Sequence, residues 1–279
     1  MQSKSPRLRA LCASSSISRT ASMSILAIAL CSTVSNAAAQ QPGQGAPEET
    51  TWGLGVGLIS NQKPYKGVDR ENQVLPLILF ENRYVQVFGP VVEAKLPSLE
   101  LGGAQRIDFR LVAQMNLDGA GYEADDAPVL AGMAERKGGF WGGAKAKWRN
   151  GVADVNVEWL ADISNNSKGQ RFSLGLEKTW RFGEKLMLTP RVGVAWVDSN
   201  YVDYYFGVSG SEATAWRPAY AGKSGVIPGA GVRAVYRFDS HHSVMFDARV
   251  VSLADSIKDS PLVDASTENR VLMAYTYRF

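Results

Sequence analysis

The 279-residue chain has only two cysteines, Cys12 and Cys31, and two histidines, His241 and His242. Both cysteines fall in the first 39 residues. The remainder therefore has no thiol for a disulfide framework or a cysteine metal site. The histidines are adjacent, and neither belongs to a His-Glu-x-x-His helix or a spaced ligand set. Gly-x-Ser-x-Gly, phosphate-loop and Cys/His-cluster motifs are missing as well. Asp125-Asp126, the most obvious carboxylate pair, sits among alanine and glycine and reads as a solvated acidic loop. Beyond the N-terminus no apolar run reaches the ~18 residues that a membrane-spanning helix requires. These absences argue against an enzyme, a metalloprotein and a helical membrane protein.

The N-terminus reads as a secretory signal. Lys4, Arg7, Arg9 and Arg19 precede or flank a short apolar core, Met23 to Val34, and Ala37-Ala38-Ala39 offers a small-residue cleavage site. Removing residues 1–39 removes those four basic residues and no acid, taking the formal charge from +3 to −1. The basic balance is thus a property of the leader and gives no support for a nucleic-acid partner. Residues 40–50, rich in Gln, Gly and Pro, read as a disordered lead-in.

What the chain has in abundance is period-2 alternation. Counting back from the C-terminus, Phe279, Tyr277, Tyr275, Met273 and Val271 share one strand face, while Arg278, Thr276, Ala274, Leu272 and Arg270 share the other. A closing strand that ends on a bare aromatic looks like the last strand of a bacterial outer-membrane barrel. In that class it is the signal read by the barrel-assembly machinery, here through Tyr275, Tyr277 and Phe279. At the other end, Trp52, Leu54, Val56 and Leu58 alternate with glycines, which suits a crowded, curved wall. Val74 to Phe80 predicts a strand with Pro76 at a bulge or start, and Tyr84 to Leu96 predicts one bent strand or two short ones. The Asn150-Gly151 pair predicts a hairpin between Ala144–Trp148 and Ala153–Ala161. Further strands are expected over 172–182, 186–197, 230–238 and 244–250.

The expected inward face carries Arg106, Asp108, Arg110, Lys145, Lys147, Asp154, Glu158, Arg191, Arg233, Arg237, Asp247, Arg249 and Arg270. So many charges cannot lie in a dry sandwich core. They fit a wet lumen crossed by ion pairs, with Lys145, Lys147 and Arg149 facing the acids of the 154–162 strand. Turns near 81–83, 150–151, 183–185 and 239–242 are short, whereas connections near 60–72, 117–139, 198–227 and 254–268 are long. That asymmetry places the short end in the periplasm and the long loops outside the cell. Trp52, Trp141, Trp180, Phe182, Trp196, Tyr236, Phe238, Tyr277 and Phe279 are expected to form the interfacial aromatic girdles. The expected fold is an all-β, up-and-down transmembrane barrel over residues 51–279, with twelve strands, or ten on a stricter count. A lumen of that size is expected to be plugged or very narrow.

Several motifs, in order, resemble the MipA/OmpV family. They are Trp52-Gly-Leu-Gly-Val-Gly, Pro64-Tyr65-Lys66-Gly67, Leu75-Pro76 with the Phe80–Phe88 stretch, Asp203-Tyr-Tyr-Phe-Gly-Val208, Asp259-Ser-Pro-Leu-Val263 and Tyr275-Thr-Tyr-Arg-Phe279. The family's tyrosine signature has one residue fewer than the stretch here, which carries Phe206 as an insertion. The resemblance implies an outer-membrane barrel without catalytic residues or cofactor. It further implies a scaffold that partners a lytic transglycosylase and a penicillin-binding protein. Other members suggest a narrow channel for small solutes or antibiotics, a stress-response role, or adhesion, which the Tyr-rich 198–227 loop would serve.

Overall fold

The computed structural model describes residues 50–115 and 121–279. The expected signal peptide, nearly all of the lead-in, and residues 117–120 of the long loop lie outside the described residues. Fourteen strands form one closed antiparallel sheet: β1 (Thr51–Gln62), β2 (Glu71–Glu81), β3 (Val85–Phe88), β4 (Val91–Lys95), β5 (Leu99–Gly102), β6 (Gln105–Met115), β7 (Phe140–Arg149), β8 (Asp154–Asp162), β9 (Gln170–Glu177), β10 (Trp180–Phe182), β11 (Leu186–Val197), β12 (Gly225–Arg237), β13 (His242–Ser252) and β14 (Thr267–Arg278). Both β4 and β5 pair with β6, and both β9 and β10 pair with β11. Each of those couples is one interrupted wall strand, so the barrel has twelve positions, and β14 closes against β1.

The wall is inside out relative to a soluble protein. Trp52, Leu54, Val56 and Leu58 point outward, with Leu54 50% exposed, as do Phe109, Leu111, Phe172, Leu174 and Leu176. Their alternates carry charge, or are glycines where strands crowd. A Cβ on Gly53 would lie 2.2 Å from the Tyr277 carbonyl, and one on Gly55 2.5 Å from that of Tyr275. Only glycine lets β1 lie so close to β14. The last residue is fixed in the same place. The Phe279 N–H donates to the Trp52 carbonyl (3.0 Å), and the two rings stack with centroids 4.3 Å apart.

Two sequence expectations change here. Pro76 marks neither a bulge nor a strand start, since the β1–β2 register runs unbroken through Val56↔Pro76. The Gly89 N–H donates to the Ile78 carbonyl, so even-numbered residues of β2 turn their backbone polar groups toward β3. The β2–β3 pairing ends at Leu79, and the absent Pro76 N–H therefore falls beyond the last pair on that side. Trp141 does not join an aromatic girdle. It shares parity with Lys145 and Lys147, so it faces inward and is buried against Tyr201. The Tyr84–Leu96 stretch resolves as two short strands around Gly89-Pro90.

The long connections fold over one mouth of the barrel. Among the described residues they contain α1 (Ser199–Phe206), α2 (Asp255–Lys258) and a 3-10 turn at Pro128–Leu130. Asp198 caps α1 by accepting the Tyr201 N–H at 2.9 Å.

Candidate functional site

The first component is the cap over the long-loop mouth. Tyr65, Tyr122, Leu130, Met133, Val202, Tyr205, Phe206, Ile257 and Leu262 form one buried apolar cluster drawn from four loops, and it packs onto Val112, Trp141, Leu160 and Val197 of the wall. Polar ties lock the loops together. The Tyr65 hydroxyl donates to the Tyr205 carbonyl (3.1 Å), the Ser260 hydroxyl to the Phe206 carbonyl (2.6 Å), and the Lys66 N–H to the Leu262 carbonyl (2.9 Å). Arg217, 1% exposed, donates to the carbonyls of Val129 (2.6 Å), Ala131 (3.1 Å) and Glu212 (2.7 Å). Arg136 donates to both Glu212 oxygens at 3.0 Å and to the Tyr204 carbonyl at 2.8 Å. Burial pushes the Glu212 carboxyl up. The Ala134 N–H, the Ser209 hydroxyl and N–H, and Arg136 outweigh it and hold the group at about 2. Burial also raises the Tyr122 hydroxyl to about 12, against the pull of Arg136. Tyr201, Tyr205 and Phe206 of the 198–227 loop are interior residues, and Trp216 is the loop's exposed aromatic.

Below the cap lies the charged interior. Glu93, on β4, pairs with Arg110 and with Lys145 (3.0 Å). Asp108 pairs with Arg106 (2.7 Å) and Arg149 (2.9 Å). Lys147 lies between Asp154 (2.9 Å) and Glu177 (2.6 Å). Asp247 accepts from Arg191 (2.6 and 2.7 Å) and Arg233 (3.0 Å). Glu158 lies 3.8 Å from Arg171. Of the pairs expected across the β7–β8 hairpin, Lys147–Asp154 forms. Lys145 instead reaches past β6 to Glu93 on β4, because a long side chain inside a narrow barrel meets more than its sheet neighbours, and Arg149 turns to Asp108 on β6, the strand on the other side of β7. Arg249 and Arg270 are register partners on β13 and β14. Arg237 lies at the short-turn mouth, its guanidinium 3.7 Å from the Met187 sulfur.

Sequence reasoning missed Glu93, Arg171, Glu177 and Glu268. Arg171 and Glu177 alternate with Phe172, Leu174 and Leu176, a period-2 signal that could have placed them. Glu93 lay in the stretch whose strands were ambiguous. His241 lies in the turn before β13 and His242 is the first residue of that strand, and both backbone N–H groups donate to the Asp239 carboxylate at 2.8 Å. Among the described residues no group of three or more His, Cys, Asp or Glu side chains is arranged to hold a metal.

A closed barrel with an apolar outer wall, a charged interior and a loop cap defines a bacterial outer-membrane β-barrel protein. The family model described as MltA-interacting protein MipA matches residues 54–279, and the chain belongs to that family. It is 27% identical over 241 residues to the outer membrane protein YiaT of Escherichia coli O157:H7, covering 81% of this chain and 90% of that one. It is 25% identical over 234 residues to the MltA-interacting protein of Escherichia coli K12, covering 81% and 89%. Among solved structures, the COG4313 outer membrane channel from Pseudomonas putida F1 is similar at 12% identity and a TM-score of 0.42, covering 86% of this chain and 99% of that one.

Proposed function

We propose that the protein is a non-enzymatic, closed barrel that acts as an interaction protein, holding murein-remodelling enzymes at the inner surface of the outer membrane. The observation that carries this reading is the cap. A mouth overlaid by the packed cluster of Leu130, Tyr205 and Leu262, above a lumen crossed by ion pairs, suits a rigid membrane anchor better than an open pore. Kinship with an MltA-interacting protein supports a lytic transglycosylase as partner, and a penicillin-binding protein is the second partner of the proposal. Outer-membrane lipid surrounds the wall, and the barrel-assembly machinery reads Tyr275, Tyr277 and Phe279. The 1–39 leader directs export and is removed near Ala39. The test joins two assays on the refolded mature chain, residues 40–279. In a planar bilayer it stays electrically silent, and on beads it retains the lytic transglycosylase of its own bacterium. Steady ion-selective current with no enzyme retained would overturn the reading.

The charged interior favours a second reading, a narrow channel for small solutes. On that reading Arg110→Gln or Arg233→Gln changes ion selectivity. On the interaction reading both variants change stability alone.

A further inference from the structure

Most charge clusters inside the barrel are mixed in sign, with Glu93, Asp108, Lys147 and Asp247 each set between two opposite partners. One stretch of wall differs. Arg191, Gly231, Arg249, Arg270 and Asn61 are successive register partners across β11, β12, β13, β14 and β1, which puts three arginines on one cross-strand line. Asp247 answers Arg191. Arg249 and Arg270 stand directly opposite each other on the inward face, an arrangement in which like charges repel.

Beside them is a cavity of about 60 Å³, lined by Arg171, Arg249, Arg270 and Glu268. Three arginines and one glutamate thus line it, and Arg171 also has Glu158 at 3.8 Å outside the lining. The rest of the lining joins apolar Ala195, Val197, Ile227 and Val251 with polar Asn61, Gln62 and Asn269, and Tyr201 of α1 also borders it. The arginines already contact neighbouring groups. A guanidinium has five N–H donors, however, and an incoming anion can share them. A space of that size holds about four waters. That is enough for a carboxylate head and a short carbon chain.

From this pocket we propose a site for a small organic carboxylate. The acid group lies between Arg171, Arg249 and Arg270, whose planar forks match a carboxylate. The chain lies against Val197, Ile227 and Val251. The cation excess in the lumen becomes the binding energy for the anion, and the apolar wall distinguishes an organic acid from chloride. The site is independent of the interaction role, since its residues lie beneath the cap and away from the short-turn end.

The test is titration of the refolded mature barrel in detergent with sodium propionate at constant ionic strength, against sodium chloride and propylammonium chloride. Propionate binds saturably and the two controls do not. The R249Q/R270Q variant binds at least tenfold more weakly. Ile227→Phe, which fills the cavity and leaves every charge in place, has the same effect, and a heat-modifiable gel band verifies folding of each variant. Should R249Q/R270Q fail to fold, Ile227→Phe alone decides the matter. Equal response to propionate and chloride, or unchanged propionate affinity in folded Ile227→Phe, would overturn the proposal.

Discussion

The wall and the cap obey opposite rules with the same amino acids. In the wall, leucine points out and charge points in. In the cap, leucine is buried and charge lies at the edge or is satisfied by carbonyls. Leu54 and Leu130 make the contrast concrete, the first 50% exposed on the outer face and the second fully buried among loop residues. Bilayer solvates the first, and neighbouring side chains pack around the second. The wall therefore owes its stability to backbone pairing and lipid, and the cap to close packing as in a soluble core.

The largest separation between the two regions should come from one truncation made in both. Leu130→Ala leaves a cavity in the cap and should cost about 3 kcal/mol. Leu54→Ala, facing lipid, should cost less than about 1 kcal/mol, because acyl chains fill the space. Urea unfolding of the refolded barrel in vesicles measures both, and equal costs would break the distinction. Next in size, Leu54→Arg should cost about 2 kcal/mol, the order expected for an arginine on the lipid face. The same titration reads it, and no loss would mean that this face does not meet lipid.

A smaller effect concerns acid. The Glu212 carboxyl is held at about 2 in the folded cap, against an unfolded value of roughly 4.3. Folding thus favours the ionised form. Its stabilisation is complete above about pH 5 and fades as the pH falls toward 2. Limited proteolysis of loop 207–224 should accelerate over that window. In Glu212→Gln the loop should already be looser at pH 7, by about 1–2 kcal/mol, and the acid dependence should flatten. The smallest effect is expected at the cap's outer rim. The Lys137–Glu135 pair, 3.6 Å apart with both side chains about half or more exposed, should tolerate Glu135→Gln within about 0.5 kcal/mol.

The same contrast explains what the sequence made legible. A wall strand repeats every two residues with lipid on one side and lumen on the other, so the alternations in 106–115, 144–149 and 271–279 already mark strands and faces. Trp141 was open to the same parity argument, because it lies four residues before Lys145 on an unbroken strand. The cap has no such period. Tyr65, Leu130, Tyr205 and Leu262 come from four separate loops and meet only in three dimensions. The Tyr-rich 198–227 stretch accordingly reads as surface, although Tyr201 and Tyr205 are packed inside. The candidate pocket follows the same division. Arg249 and Arg270 are visible as inward residues, while their confrontation depends on the β13–β14 register, which no single strand encodes.

The closed-barrel reading stands on the packing of the cap. Hydrogen–deuterium exchange across α1, read by mass spectrometry on the vesicle-embedded protein, tests that directly. Amides within Ser199–Phe206 should exchange slowly, on the timescale of β11 and β12 beneath them. Complete exchange within seconds, as in an open surface loop, would contradict the closed barrel.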